Sequence, residues 1–372
     1  MSNSKKIFFK NLDGLRFLCF LSVFLFHSFH TNVEEIKSNE IYDFITNFVF
    51  KNGNLGVNVF FVLSGFLITY LLIIEKQKTG TINILRFWMR RILRIWPLFF
   101  FCVFFGFIIF PELKSYFGEL SSESTNIIYY LFFINNFDFI NNGLPDCSVL
   151  GVLWSVAVEE QFYLIWPVIL YFFPVKKFWM PFLIIFIFNL VFRFFNHDYL
   201  NLEFHTLSCI GDMTMGAVGA WLIISFNTFK KLITNLSKQI IFLIYFAFII
   251  FFLFRSKISE ISLIILIFER LFISFLILLI ILEQNYSKNS LFKLSKLKKI
   301  SNLGKVTYGL YCLHFIGILI ALKITDLFNL NNELWQVLIL ETSLALLISI
   351  IISKLSFLYY EKPFLKLKDK YN

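Results

Sequence analysis

Residues 15–29 read LRFLCFLSVFLFHSF, an apolar run of membrane-crossing character with Arg16 at its basic edge and a single imidazole, His27, eleven positions further on. Ionisable groups inside a spanning segment are expensive to desolvate, so they face a bundle interior or a water-filled cavity and make a functional site the default reading. The alternative is a histidine that only hydrogen-bonds a neighbouring helix. At 1.5 Å of rise per residue, His27 lies about 17 Å from Arg16, in the middle to outer half of a bilayer.

The rest of the chain has the composition such a segment needs. Of 372 residues, 58% are hydrophobic and only 16% are charged, and the mean hydropathy is +0.75, far from soluble averages. A net charge of +10 does not point to nucleic acid, because the basic residues gather in loops between apolar runs and not along an aromatic-interleaved groove. Five scattered cysteines, Cys19, Cys102, Cys147, Cys209 and Cys312, form no CxxC pair, so neither a disulfide framework nor a zinc site is indicated. No metal is expected.

Runs of near-membrane length fall at 15–30, 55–74, 95–110, 151–173, 179–195, 208–226, 239–254, 261–282, 306–324 and 335–358. These predict an all-α, polytopic bundle of about ten transmembrane helices. An eleventh candidate, 127–137, is too short for a span and reads as a re-entrant or interfacial piece. Lys5, Lys6 and Lys10, loops 75–94, 174–178, 227–238 and 283–305, and the tail 361–372 hold most of the Lys and Arg and alternate with basic-poor loops. That asymmetry predicts a multi-pass protein of the inner (plasma) membrane with both termini cytoplasmic. With no internal repeat or linker, residues 1–372 read as one membrane-embedded domain without a fused soluble one.

The segment 81–96, TINILRFWMRRILRIW, carries Arg86, Arg90, Arg91 and Arg94 just ahead of the third run, with Pro97 following. It reads either as an interfacial helix gripping headgroups or as a cytoplasmic site for a phosphate-rich ligand. A guanidinium suits the second role, since its planar fork binds phosphate bidentately. In 151–167, GVLWSVAVEEQFYLIWP, Glu159 and Glu160 interrupt an apolar helix entering from the outer face. A carboxylate at that depth could orient His27 and stabilise its imidazolium. Adjacent helical residues diverge by about 100°, so the two cannot both face it equally.

Six pieces of the chain resemble the membrane acyltransferase type 3 family in that family's order: LDGLR at 12–16 with His27 beyond it, GVNVFFVLSGFLIT at 56–69, RRILRIWP at 90–97, WSVAVEEQFYLIWP at 154–167, GKVTYGLYCLH at 304–314 and YYEKPF at 359–364. The resemblance implies transfer of an acyl group, usually acetyl from coenzyme A, to a sugar hydroxyl of a surface or secreted glycan or lipid-linked sugar. It places the family's histidine at His27, its first-helix arginine at Arg16, its RxxR pair at Arg91 and Arg94, and its acid at Glu159. Ala157 and Cys19 depart mildly from the family pattern.

The expected mechanism has acetyl-CoA, or another acyl-CoA, entering from the cytoplasm. Arg91 and Arg94, with Arg90 or Arg16, would hold its nucleotide end. His27 would act as general base on the acceptor hydroxyl, or carry the acyl group itself, with Glu159 orienting it. Glu269 and Arg270 read as a structural pair or a substrate contact, and Tyr308, Tyr311 and His314 as lining for the donor channel. Gly65, Gly211, Gly216 and Gly219 read as close-packing positions. A rival from another class, a secondary transporter or lipid-linked sugar flippase, would also embed His, Glu and Arg, but would be expected to show related halves and paired broken helices.

Overall fold

The computed structural model describes residues 9–371, which contain helices and turns and no strand among the described residues. Lys5 and Lys6, counted above in the basic amino end, lie outside them. A first helix, α1 (Lys10–Phe26), is 17 residues long, or about 26 Å. Among the described residues, nine longer helical stretches follow that are apolar enough to cross a membrane by length and composition: α2 (Leu55–Thr79), α3 (Ile84–Tyr116), α4 (Ser148–Phe172), α5 (Val175–Phe195), α6 (Tyr199–Ser225), α7 (Lys238–Ser259), α8 (Leu263–Tyr286), α9 (Lys298–Leu327) and α10 (Gln336–Lys368). The chain is a polytopic helical membrane protein, and each expected run overlaps one of these ten elements, the first of them running four residues past the end of α1.

Alternating passes put the start of α1, the end of α10 and the lysine-bearing loops 226–237 and 287–297 on one face, called here the basic face. Loops 27–54, 117–147 and 328–335 lie on the far face.

One expectation changes and another gains detail. The arginine-rich segment is not a separate interfacial helix, because Ile84–Tyr116 is continuous and Pro97 lies inside it. The turns around Pro97 are tied from outside, Tyr308 Oη donating to the carbonyl of Ile95 (2.8 Å) and Tyr360 Oη to that of Pro97 (3.1 Å). Neighbouring helices can thus keep a proline-containing span intact. Segment 127–137 falls on two short helices, Ile127–Leu131 and Asn135–Asn142. They cap the far face: Gln161 donates to the carbonyl of Phe133 (2.8 Å), and Asn136 to that of Phe204 (3.1 Å).

Close packing without any apolar-to-water gain requires small residues where backbones touch. A Cβ on Gly65 of α2 would collide with the carbonyl of Met213 in α6, and one on Gly216 with the carbonyl of Val62. These two helices are therefore pressed together at backbone distance. On the far-face side of the same region, Arg193, Arg255 and Arg270 meet Glu203, Asp212 and Glu269. Arg270 lies 2.9 Å from Asp212, while Glu269 lies 3.1 Å from Arg255 and 3.6 Å from Arg193. Glu269 and Arg270 thus find partners on other helices instead of each other. Three cations against three anions leave this buried cluster neutral, a tie between α5, α6, α7 and α8.

Candidate active site

α1 ends at Phe26, so His27 is the residue that closes the helix and not one within its run. Its backbone N–H donates to the carbonyls of Val23 and Phe24, each at 3.1 Å. Two residues on, Phe29 takes φ +68°, the left-handed region, and its carbonyl accepts from Tyr42 Oη at 2.6 Å. A bulky residue held at positive φ is costly and persists only where surroundings over-determine it. The chain thereby turns sharply away just after His27, which stands half-buried at the far end of α1.

The imidazole of His27 is not bonded to Glu159 or Glu160. Its Nδ1 lies 3.0 Å from Nε2 of His314 on α9, with the two rings nearly parallel, 14° apart. His314 is fully buried, and its own Nδ1 lies 2.7 Å from the carbonyl of Tyr311 one turn earlier. The residue expected to line a donor channel is therefore the direct partner of His27.

Glu159 stands elsewhere. It accepts from Ser64 Oγ at 2.8 Å and from Tyr163 Oη at 2.7 Å. Glu160 turns to α3 and accepts from the indole of Trp96 at 2.8 Å, as the divergence of adjacent positions requires. Both enter from the far face, so α2 and α4 run parallel, and their bonds repeat at nearly one sequence offset. Ser64 meets Glu159, Thr69 accepts from Trp166 Nε1 (2.8 Å), and Lys76 Nζ donates to the carbonyl of Tyr171 (2.8 Å). Lys76 also bonds the carbonyls of Leu170 and Phe173, closing the end of α4 with positive charge where the helix dipole favours it.

Between the two sites lies Ser155, whose Oγ is 2.7 Å from Tyr311 Oη. Ser155, Glu159 and Tyr163 recur at i, i+4 and i+8 and therefore share one face of α4 over about 12 Å. A column of polar groups thus runs through the apolar bundle: His27, His314, Tyr311, Ser155, Glu159 with Ser64, then Tyr163.

The column ends among arginines. Arg91 lies over the rings of Tyr163 and Phe87, 5.6 Å from each centroid, an arrangement of cation–π type. Its Nε is buried without a hydrogen-bond partner. Arg94 is exposed and interacts electrostatically with Arg16, Arg91, Glu159 and Glu361. Among the described residues neither guanidinium is within 4 Å of a carboxylate, whereas Arg16 is held by Asp13 at 2.8 Å and Arg90 reaches Glu75 at 3.7 Å. Of the four arginines expected at a donor site, two are therefore engaged in ion pairs and two are not. Glu361 of YYEKPF, expected to be positional, is buried beside this group.

A family profile described as an acyltransferase domain matches residues 9–354. The chain belongs to the membrane acyltransferase type 3 family. Its family motifs converge in the fold, because pieces far apart in sequence supply His27, Ser64, Arg91 and Arg94, Glu159 and Tyr163, His314, and Glu361 to this one column. Among curated relatives, the chain is 34% identical over 167 residues to the peptidoglycan O-acetyltransferase OatA of Listeria monocytogenes, covering 43% of this chain and 24% of that protein. It is 34% identical over 170 residues to the O-acetyltransferase OatA of Staphylococcus aureus, with the same coverage. The matched stretch thus spans about a quarter of the length of these relatives. No solved structure matches the chain.

Tyr163, Ser155 and the role of His314 did not emerge from sequence reasoning. The first two carry a signal there, since the 155/159/163 spacing marks one helix face. The pairing of His314 with His27 carries none, because it depends on how α9 crosses α1.

Proposed function

We propose that this chain transfers an acyl group, acetyl in the simplest case, from a coenzyme A thioester at the basic face to a sugar hydroxyl of a cell-surface or exported glycan at the far face. The single observation that carries the reading is the polar column, which joins two arginines lacking ion-pair partners to His27 at the opposite end. Membership of the acyltransferase family and the name of the Listeria relative support an O-acetyl product on a peptidoglycan-like acceptor.

In this mechanism Arg91 and Arg94 hold the anionic nucleotide end of the donor, with Arg16 and Arg90 adding field from their ion pairs. The pantetheine arm lies along the column. Nε2 of His27 takes the acceptor's hydroxyl proton as its oxygen attacks the thioester carbonyl. The C–O bond forms, the C–S bond breaks, and the proton on His27 Nε2 passes to the departing sulfur, so coenzyme A leaves as the thiol. The negative end of the α1 dipole lies at His27, where it favours the positive charge that develops. Glu159 acts away from His27, anchoring Ser64 and Tyr163 beneath Arg91.

Loop charge supports the basic face as the cytoplasmic one, so the donor stays inside and the acceptor is met outside. The test is reconstitution in liposomes with labelled acetyl-CoA on one side and a soluble peptidoglycan fragment on the other. Label in the sugar ester, released by mild base, is the expected outcome. Donor binding without turnover in any acceptor arrangement would count against transfer.

A further inference from the structure

We infer that His314 sets the tautomer of His27 and so makes Nε2, and not Nδ1, the basic atom of the site. The inference rests on the acyl-transfer reading only where catalysis is concerned, because the tautomer itself follows from hydrogen-bond geometry.

The assignment starts from a backbone carbonyl. A carbonyl oxygen only accepts, so His314 Nδ1, 2.7 Å from the oxygen of Tyr311, must carry a proton and donate it. Neutral imidazole has one N–H, which leaves Nε2 of His314 as a bare acceptor. The atom facing that acceptor at 3.0 Å is Nδ1 of His27. Two lone pairs cannot share such a contact, so His27 Nδ1 is the donor and its Nε2 is left unprotonated. No described residue bonds that Nε2.

The surroundings keep this arrangement from reversing. His314 is fully buried, with the rings of Phe20, Phe24 and Phe315 at 5.9, 6.3 and 4.6 Å from its centroid. A flipped or opposite-tautomer His314 would turn a C–H or a lone pair toward the Tyr311 carbonyl and forfeit the 2.7 Å hydrogen bond inside an apolar cage. A carboxylate usually performs this service for a catalytic histidine. Here a second histidine anchored to a main-chain oxygen does so, without a second charge in the membrane. When His27 gains a proton at Nε2, its Nδ1–H still has the His314 acceptor, so the imidazolium forms with its hydrogen bond intact.

His314 is thus a positioning residue, and the test reads the tautomer directly. The full chain, labelled with 15N-histidine and reconstituted in nanodiscs, carries five histidines, which single substitutions assign. Long-range proton–nitrogen correlations at neutral pH should show His27 protonated at Nδ1 in the absence of any substrate. In His314→Phe the pattern should shift toward the Nε2–H form and kcat should fall about 10²-fold or more, with KM for donor and acceptor little changed. His314→Gln, which can place an amide oxygen near the lost Nε2, should restore both the Nδ1–H pattern and much of kcat. An Nε2–H tautomer in the unmodified protein overturns the inference, as does full kcat in folded His314→Phe. The expected tautomer in a protein that never turns over acetyl-CoA would remove the acyl-transfer reading and leave the tautomer assignment standing.

Discussion

Ser64 donates a hydrogen bond to Glu159 over 2.8 Å at the same level of two helices that run in the same direction. With Tyr163 as the second donor, the carboxylate is fixed between α2 and α4 under the guanidinium of Arg91. Hydrogen bonds to a charged group contribute about 1.5–3 kcal/mol each. Ser64→Ala should therefore lower the unfolding temperature modestly and weaken catalysis without abolishing it. Glu159→Gln should keep the shape but lose the charge that faces Arg91 and Arg94. Donor KM rising more than kcat falls, in steady-state assays of both variants, is the expected signature. A pure kcat defect in Glu159→Gln would put the residue in the chemistry instead.

His27→Ala should reduce transfer by about 10²- to 10⁴-fold, while donor binding measured by calorimetry stays within a few-fold. Turnover near the unmodified level in a well-folded His27→Ala protein would exclude it as the base.

Arg91→Ala and Arg94→Ala should each weaken coenzyme A binding about tenfold or more, in line with losing one charge-assisted contact. Lysine at either position should recover only part, since the bidentate fork is gone. Arg86→Ala, on the same helix but farther from the column, serves as the control. Equal effects at all three positions would mark the strip as a topology signal alone.

Gly65→Ala should be severely destabilising, because its Cβ would enter the backbone of Met213 and prise α2 from α6. Gly151→Ala is the contrast. Its Cβ would meet only Pro145 Cγ at 3.7 Å, an ordinary contact, and alanine is the better helix former. Thermal unfolding in one detergent should separate the two by many degrees.

The features behind these contrasts differ in how far the amino-acid sequence reveals them. Span positions follow from apolar run length alone, because a bilayer tolerates few alternatives to a helix. The continuity of α3 is hidden. Arg86, Arg90, Arg91 and Arg94 make its first turns resemble a surface helix, and Pro97 resembles a stop, whereas in the fold Tyr308 and Tyr360 tie the turns around it. Glu159 stands out in the sequence as an embedded carboxylate, but similar depth in the bilayer is not enough to pair it with His27. Residues from several helices meet near it, and one helix's periodicity cannot say which neighbour arrives first. His314 takes the place beside His27 because α9 crosses close to the end of α1.

Sidedness can be decided by thiol labelling, since all five native cysteines are buried and can be removed from the background. Glu35→Cys on the far face and Lys288→Cys on the basic face both replace exposed side chains. An impermeant maleimide added to intact cells should label the first and not the second. The opposite pattern would place the donor site outside and end the two-sided scheme.

The length of α3 couples this chemistry to the bilayer itself. Its 33 residues extend about 50 Å if fully helical, against a hydrocarbon slab of about 30 Å. That excess is taken up by tilt or by projection into the headgroups. Because Arg91 and Arg94 sit about 11–15 Å from the start of the helix, membrane thickness sets how far they stand from water. Thicker lipid draws the two cations toward hydrocarbon, and thinner lipid lifts them into the phosphate layer. Under the proposed mechanism, the acyl-chain length of the host membrane would thereby become a physical control on donor capture, acting through hydrophobic mismatch with no regulatory ligand.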